Sequence, residues 1–574
     1  MAAGVWSGER VVVFLVIIQV LSSIASSWLL WEAMALVLLA VGGLLVEIFV
    51  DGSEFTRFQT RRGASSGILL GTVSVPLVML SRLIQLSSGL TSQEVGSEGA
   101  MSLESELAYL NIQYWSASVG GLVVLIFLSS LLSSQKGSKK LWDLRYALFS
   151  VFYFVLCATF CCLSLAARFH SRYCTVGKAS WIFVHGLAAV GLVKHILVTF
   201  PLCASIGEAM LAASGLVLYL SDALLYTVVK ANSLSSSFFL HYGTRRSQVN
   251  IIIQGALVSL LLFPILYKYV VQAWSFFSSH TDADVRDNAE HKGLSERLPK
   301  AVAFYALLTL VLTVFAPAWM YFVHDFEIHP ILWAFTFVFK SPKRIFLGIY
   351  WLVIICSSVM RFYKISRNST VERILLRKYY HLVAVLMFVP ALLVEPEFLD
   401  LAFGVALAVF LTVEIIRIWR IWPCGDLVHK FMNAFTDHRD SDLLIVSHFS
   451  LLLGCALPKW LSSGFNNRPL APFAGILSLG IGDTMASMVG HKYGVLRWSK
   501  AGKKTIEGTA AGITSVLLAC SVLLPLLAST GYFLSQHWLS LMIAVSLSGL
   551  LEAYTAQLDN AFIPLVFYSL LCVT

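Results

Sequence analysis

Charge is what this sequence has least of. Only 13% of its 574 residues are Asp, Glu, Lys or Arg, against 58% apolar, and mean hydropathy is +0.78. A soluble globular chain carries roughly a quarter charged residues, so that class is excluded. Cysteine is sparse as well: ten residues, with no CxxC pair. A zinc site and a disulfide framework are therefore not indicated. Cys157, Cys161, Cys162, Cys356 and Cys520 fall inside apolar runs and read as buried thiols. Net charge is +9, yet no interleaving of basic and aromatic residues marks a nucleic-acid surface. The basic residues sit in short loops between apolar runs, the pattern that orients a membrane protein. No internal repeat is evident.

What the chain has in quantity is apolar runs long enough to cross a bilayer, roughly 17–25 residues each. Examples are 11–31, 118–134, 147–168, 249–272 and 302–324. The first run has no small-residue cleavage site and is followed at once by another, so it reads as an anchor. The expected fold is all-α: a polytopic transmembrane helical protein of roughly 13–16 spans. Segment 279–300 is the longest charged stretch and reads as a solvated linker or short surface helix. It divides an N-terminal multi-pass region, 1–300, from a C-terminal membrane domain, 301–574. In the first region the loops carry little information. Its exceptions are Glu208 and Asp222, ionisable residues in or near apolar runs, which are either functional or seated at helix ends in the interface.

The second region holds polar clusters at helical spacing. Lys378 and Arg377 precede His381 by three and four residues, one face of a helix. Glu414 and Arg417 are three apart and can pair, and the knot Asp437, Arg439, Asp440, Asp442 follows. Asp483, Ala486, Gly490 and Gly494 form one stripe, with Gly480 and Gly482 before it. That stripe offers a carboxylate at an expected helix start, free N–H groups for phosphate and bare backbone for close approach. Small residues at this spacing also serve close helix packing in membranes. Packing does not account for Arg497, Lys500, Lys503 and Lys504, followed by Thr505, Glu507 and Gly508. Point-like lysine charges suit a triphosphate. A Walker A loop is ruled out, because Arg497 and Lys504 stand where its glycine and hydroxyl residue belong. Glu552, Thr555 and Asp559 share a helix face, and their carboxylates suit a magnesium ion held by few protein ligands and by substrate phosphate.

Topology brings these clusters together. If the basic loop 361–378 is cytoplasmic, successive spans return 414–442, Asp483 with its basic run, and Glu552–Asp559 to that same face. The composite reads as a phosphate-handling site at a bilayer boundary.

GIGDTMASMVGHKYG and KKTIEGT (480–509) resemble the nucleotide-binding signature of CTP-dependent membrane lipid kinases. Within that group the chain resembles the dolichol kinases, through RKYYH (377–381), FTDHRD (435–440), HFSLLLGCALPKW (448–460) and EAYTAQLDNAFIP (552–564). These pieces are spread, in the family's order, over residues 377–564, about a third of the chain. The resemblance implies transfer of the γ-phosphoryl group of CTP to the terminal hydroxyl of dolichol, giving dolichyl phosphate and CDP for protein N-glycosylation. It implies a divalent cation, Mg²⁺, in an endoplasmic reticulum membrane with the nucleotide site facing the cytosol. On that footing Asp483, Lys504, His381 and Asp440 are the catalytic candidates. Gly482, Ala486, Gly490, Gly494, Lys503, Thr505, Glu507, Gly508, Arg377 and Lys378 are candidates for nucleotide contact, and Asp483, Glu552 and Asp559 for metal. His381, Asp440 and Asp559 compete as proton acceptor. Other readings are a kinase of phytol, another polyprenol or diacylglycerol, a cytidylyltransferase, and a polytopic transporter with Glu208 and Asp222 on its path.

Overall fold

A computed structural model describes residues 7–574, apart from 25–26, 54–56, 62, 92–96, 136–139, 169–171, 232–245, 279–288, 369–372, 434–442, 499–503 and 530–536. Among the described residues the chain is helical, and the only strand-like pairing is an isolated bridge between Arg497 and Thr505. This is what lipid demands of an apolar chain, since a helix satisfies its backbone groups internally. Among the described residues, eleven helices are long and apolar enough to cross a membrane, and five shorter apolar helices accompany them. The charged stretch before residue 300 does not end as a linker: Ala289–Leu310 is helical and continuous with the span Arg297–Val323.

One helix, Ile68–Thr91, is the hub. It packs against the helices Leu30–Asp51, Ser97–Gln135, Ile206–Ala231 and Asp559–Val573. Its span window is wholly buried. The sequence suits that position, because small and hydroxyl residues let backbones approach. A Cβ on Gly71 would stand 2.4 Å from the Gly207 carbonyl oxygen. Thr72 and Ser74 donate back to the Ile68 and Leu70 carbonyls at 2.7 and 2.5 Å, so these two hydroxyls are satisfied within the helix. Contact between this helix and Asp559–Val573 joins the start of the chain to its last helix.

Several ionisable residues inside the bundle are paired. Glu208 lies 2.5 Å from Arg61. Asp222 accepts from Arg246, from Tyr109 and from Gln254 at 2.7 Å. Both are thus buried and partnered, Glu208 in the first turn of its helix and Asp222 within the same helix. Lys459 donates to Asp400 at 2.7 Å. The Glu414–Arg417 pair read from the three-residue spacing forms, with bonds of 2.8 and 2.7 Å. Its partners show its purpose: Glu414 accepts the Ile445 N–H at 3.0 Å and Arg417 donates to the Leu443 carbonyl at 3.2 Å. The pair therefore anchors the entry to the helix Val446–Leu461. Glu414→Ala removes the carboxylate partner of a buried guanidinium, so a loss of up to about 3–5 kcal/mol is expected. A chemical or thermal melt of the detergent-purified protein measures it.

Candidate active site

The site is built on a helix that changes pitch. Residues Ile476–Asp483 form a π-helical stretch that passes directly into the α-helix Thr484–Tyr493. A π-turn adds a residue to the turn and so rotates the side chains that follow. Asp483 sits at this junction with helical φ −62° and ψ −35°. The helix start expected there, with free N–H groups for phosphate, does not exist, because the segment before it is already helical. Asp483 is 3% exposed.

The helix Arg373–Val394 crosses this junction and supplies Asp483 with its partners. Lys378 forms an ion pair with Oδ2. His381 Nδ1 stands 3.3 Å from the same oxygen and 3.1 Å from the Leu479 carbonyl. Both neighbours of Nδ1 are acceptors, so Nδ1 carries a proton, and the neutral tautomer that matches this geometry has its lone pair on Nε2. Asp483 Oδ1 has a single contact, a hydroxyl donated by Ser487 at 3.4 Å, and is the less engaged oxygen. Ser487 lies one helical turn on; the i, i+4 spacing was the signal for it.

The glycine stripe has a different occupant from a nucleotide. The helix Ile506–Ser529 lies along it. A Cβ on Gly490 would stand 2.8 Å from Thr505 Oγ1, and one on Gly508 would stand 2.5 Å from the Ala486 carbonyl oxygen. Cβ atoms on Gly482 and Gly512 would meet Val516 and Gly482 at 3.1 and 3.0 Å. The bare backbone is therefore filled by a neighbouring helix, and the packing alternative accounts for Gly482, Ala486, Gly490 and Gly508. Gly490→Leu should lower the amount of folded protein before it alters nucleotide affinity. Overpacking of about 1–3 kcal/mol, and more for so large a residue, is expected in a thermal melt.

Between the two helices the chain makes a tight return. Trp498 N–H donates to the Lys504 carbonyl at 3.2 Å, and Ile506 N–H to the Leu496 carbonyl at 2.8 Å. Thr505 caps the second helix, its hydroxyl accepting the Gly508 N–H at 3.2 Å. Glu507 reaches back to the Leu496 N–H at 3.0 Å and closes the loop. Gly494 ends the first helix, its N–H on the Gly490 carbonyl at 3.1 Å. Thr505, Glu507 and Gly494 thus shape the loop. Its basic content remains available: Arg497 is exposed, and Lys504 turns inward to donate to the Glu552 carbonyl.

Glu552 ends the helix Trp538–Tyr554, and Asp559 opens Asp559–Val573. Lys378 feels the charges of Asp483, Asp559 and Glu552, and Glu552 feels those of Asp483, Lys504, Lys378 and Asp559. Six of the sequence candidates therefore meet from four segments: Lys378, His381, Asp483, Lys504, Glu552 and Asp559. The Glu552 carboxylate takes no hydrogen bond among the described residues. A narrow crevice opens beside it, lined by Ser478, Gly482, Gly512, Ser548 and Gly549 among others. Asp437, Arg439, Asp440, Asp442, Lys500 and Lys503 lie outside the described residues, as does the side chain of Arg377.

Among the described residues no three or more His, Cys, Asp or Glu converge as a ready-made metal cage. The donors present are hard carboxylate oxygens, spread over separate helices. That fits Mg²⁺, which takes one or two carboxylates and completes its shell with water and phosphate. Two lysines, an oriented imidazole and three carboxylates can neutralise a polyphosphate and accept a proton from an alcohol.

The dolichol kinase family matches residues 181–525. Dolichol kinase EVAN of Arabidopsis thaliana is 55% identical over 582 aligned residues, covering 99% of this chain and 98% of that protein. The dolichol kinase of Homo sapiens is 31% identical over 414 residues, covering 69% of this chain and 70% of its own. Dolichol kinase sec59 of Schizosaccharomyces pombe is 34% identical over 257 residues, 42% of this chain and 50% of its own. No solved structure matches. Matched over more than half its length by the family, and along nearly all of it by a relative of that name, the chain belongs to the dolichol kinase family.

Proposed function

We propose that the chain transfers the γ-phosphoryl group of CTP to the terminal hydroxyl of dolichol, giving dolichyl phosphate and CDP. The convergence of Lys378, His381, Asp483, Lys504, Glu552 and Asp559 at the ends of membrane helices carries this reading. On this reading residues 301–574 supply the chemistry, and the basic loops favour a nucleotide site on the cytosolic side of an endoplasmic reticulum membrane.

Phosphoryl transfer needs in-line positioning and neutralisation of charge more than covalent help. Lys504 binds the phosphates and stabilises the leaving CDP. Lys378 and Asp483 hold each other in place, so the lysine presents a fixed positive charge. Asp483 through its freer oxygen and Glu552, with Asp559 nearby, would hold Mg²⁺, which would supply positive charge to offset that of the phosphates. His381, oriented by Asp483 and the Leu479 carbonyl, offers Nε2 to the dolichol hydroxyl, an arrangement that suits a general base. The polyprenyl tail stays in lipid while its hydroxyl reaches the crevice beside Glu552.

The test is purified full-length protein with Mg²⁺, mixed lipid alcohols and γ-labelled CTP or ATP. Label on dolichol from CTP, with CDP as product, is the expected result. Label on another alcohol would change the substrate, pyrophosphate release would mean a cytidylyltransferase, and equal transfer from ATP would overturn the choice of donor.

A further inference from the structure

The segment joining Glu552 to Asp559 is held by residues from the far end of the sequence. Residues 555–558 are not helical, so their backbone groups need partners from elsewhere. Arg61 donates to the Ala556 carbonyl at 3.1 Å. Its ion-pair partner Glu208 accepts the Leu558 N–H at 2.7 Å and, through its other oxygen, the Ser205 N–H at 2.8 Å. Glu9 takes the Ala556 N–H. Gln557, 1% exposed, donates to the Ser65 carbonyl at 3.0 Å and the Ser65 hydroxyl at 2.9 Å, and accepts from Ser205. Gly67 is shaped for it: φ is +63°, and a Cβ there would stand 2.4 Å from Gln557 Cδ. Both backbone groups of Ala556, the Leu558 N–H and the Gln557 side chain are thus fastened to the first 210 residues of the chain.

We infer that Arg61, Glu208 and Gln557 are positioning residues for phosphoryl transfer, locking residues 555–558 so that Glu552 and Asp559 face Asp483 from fixed places. The inference rests on the reading that those carboxylates belong to the transfer site. A free segment of this kind would sample several backbone states, and ordering it costs conformational entropy. Displacing a reacting group by about 1 Å can cost about 10²-fold in rate. The N-terminal region, for which the sequence motifs offer no role, gains one as a brace for the site.

An internal comparison separates positioning from plain stability. Toward the other end of the Ile68–Thr91 helix, Arg82 donates to the Phe465 carbonyl at 3.1 Å, and Gln85 donates to Asn466 and Asn467 at 2.7 and 3.0 Å. This second bridge also ties the two regions together, but roughly 25 Å along the helix from its first residue. Glu208→Gln, Gln557→Ala and Gln85→Ala should be compared as full-length protein, with kcat and KM referred to folded protein. Glu208→Gln and Gln557→Ala should lower kcat about tenfold or more, with KM for dolichol within about twofold. Gln85→Ala should keep its kcat. Should Glu208→Gln fail to accumulate, Gln557→Ala, which removes three hydrogen bonds, decides. Unchanged kcat in Gln557→Ala, or an equal fall in Gln85→Ala, overturns the inference. Glu552→Gln and Asp559→Asn test its footing separately: if both keep full kcat, the carboxylates lie outside the reaction. If either is inactive while Gln557→Ala is not, the brace alone is wrong.

Discussion

Asp483→Asn is expected to lower turnover at least about 10²-fold, the scale of a lost charge-stabilising group in a preorganised site. The side chain keeps its shape and loses its charge, and three functions fail together. Lys378 loses its counter-ion, His381 loses the carboxylate that orients it, and the proposed Mg²⁺ site loses a hard anionic oxygen. The same substitution also leaves an ammonium group half-buried and unpaired, which destabilises by up to about 3–5 kcal/mol. The two consequences separate in a double variant. Lys378→Met with Asp483→Asn removes both charges, so it should melt nearer the parent yet remain inactive. Activity is read as labelled dolichyl phosphate per unit of monodisperse protein, beside a thermal melt. Recovery of turnover in the double variant would reduce Asp483 to a counter-ion for Lys378.

Lys504→Ala should cut kcat/KM about 10²-fold. Here a structural role competes, because the ammonium group donates to the Glu552 carbonyl at the end of a helix. A lysine in that position stabilises a helix by about 0.3–1 kcal/mol through its charge and hydrogen bond. Lys504→Gln distinguishes the two roles, since it keeps a donor for the carbonyl and has no charge for a phosphate. If Lys504 serves CTP, the glutamine variant is as impaired as the alanine variant, with the larger part of the loss in kcat if the charge acts on leaving CDP. If it only caps the helix, the glutamine variant works at the parent rate.

These predictions bear on how the site could be read at all. Ion pairs at helical spacing were open to inspection because both partners lie on one helix, as with Glu414 and Arg417. The meeting of Lys378, Asp483 and Glu552 was accessible more indirectly. Alternating spans return every second loop to one side of a bilayer, so topology alone brings distant polar clusters to a common face. The glycine stripe shows where this reasoning stops. Its spacing serves ligand approach and helix packing equally, and only the helix Ile506–Ser529 lying on Gly490 separates them. Thr505 and Glu507, read as phosphate contacts, serve as helix cap and loop latch, because the chain folds back on itself within twelve residues of Gly494. The pitch change at Ile476–Asp483 carried no legible signal, since π-helical turns have no distinct apolar period.

Composition and periodicity by themselves determined that this is a helical membrane protein, since so apolar a chain must satisfy its backbone internally wherever it meets lipid. The order of its motifs determined the family and the residue types of the site. Tertiary structure alone decided which partners those residues take. Arg61 is nearly five hundred positions from Ala556, and no local period relates them. They meet because two regions pack along one buried helix, Ile68–Thr91, and the resulting bonds hold the segment that carries the site's last carboxylate.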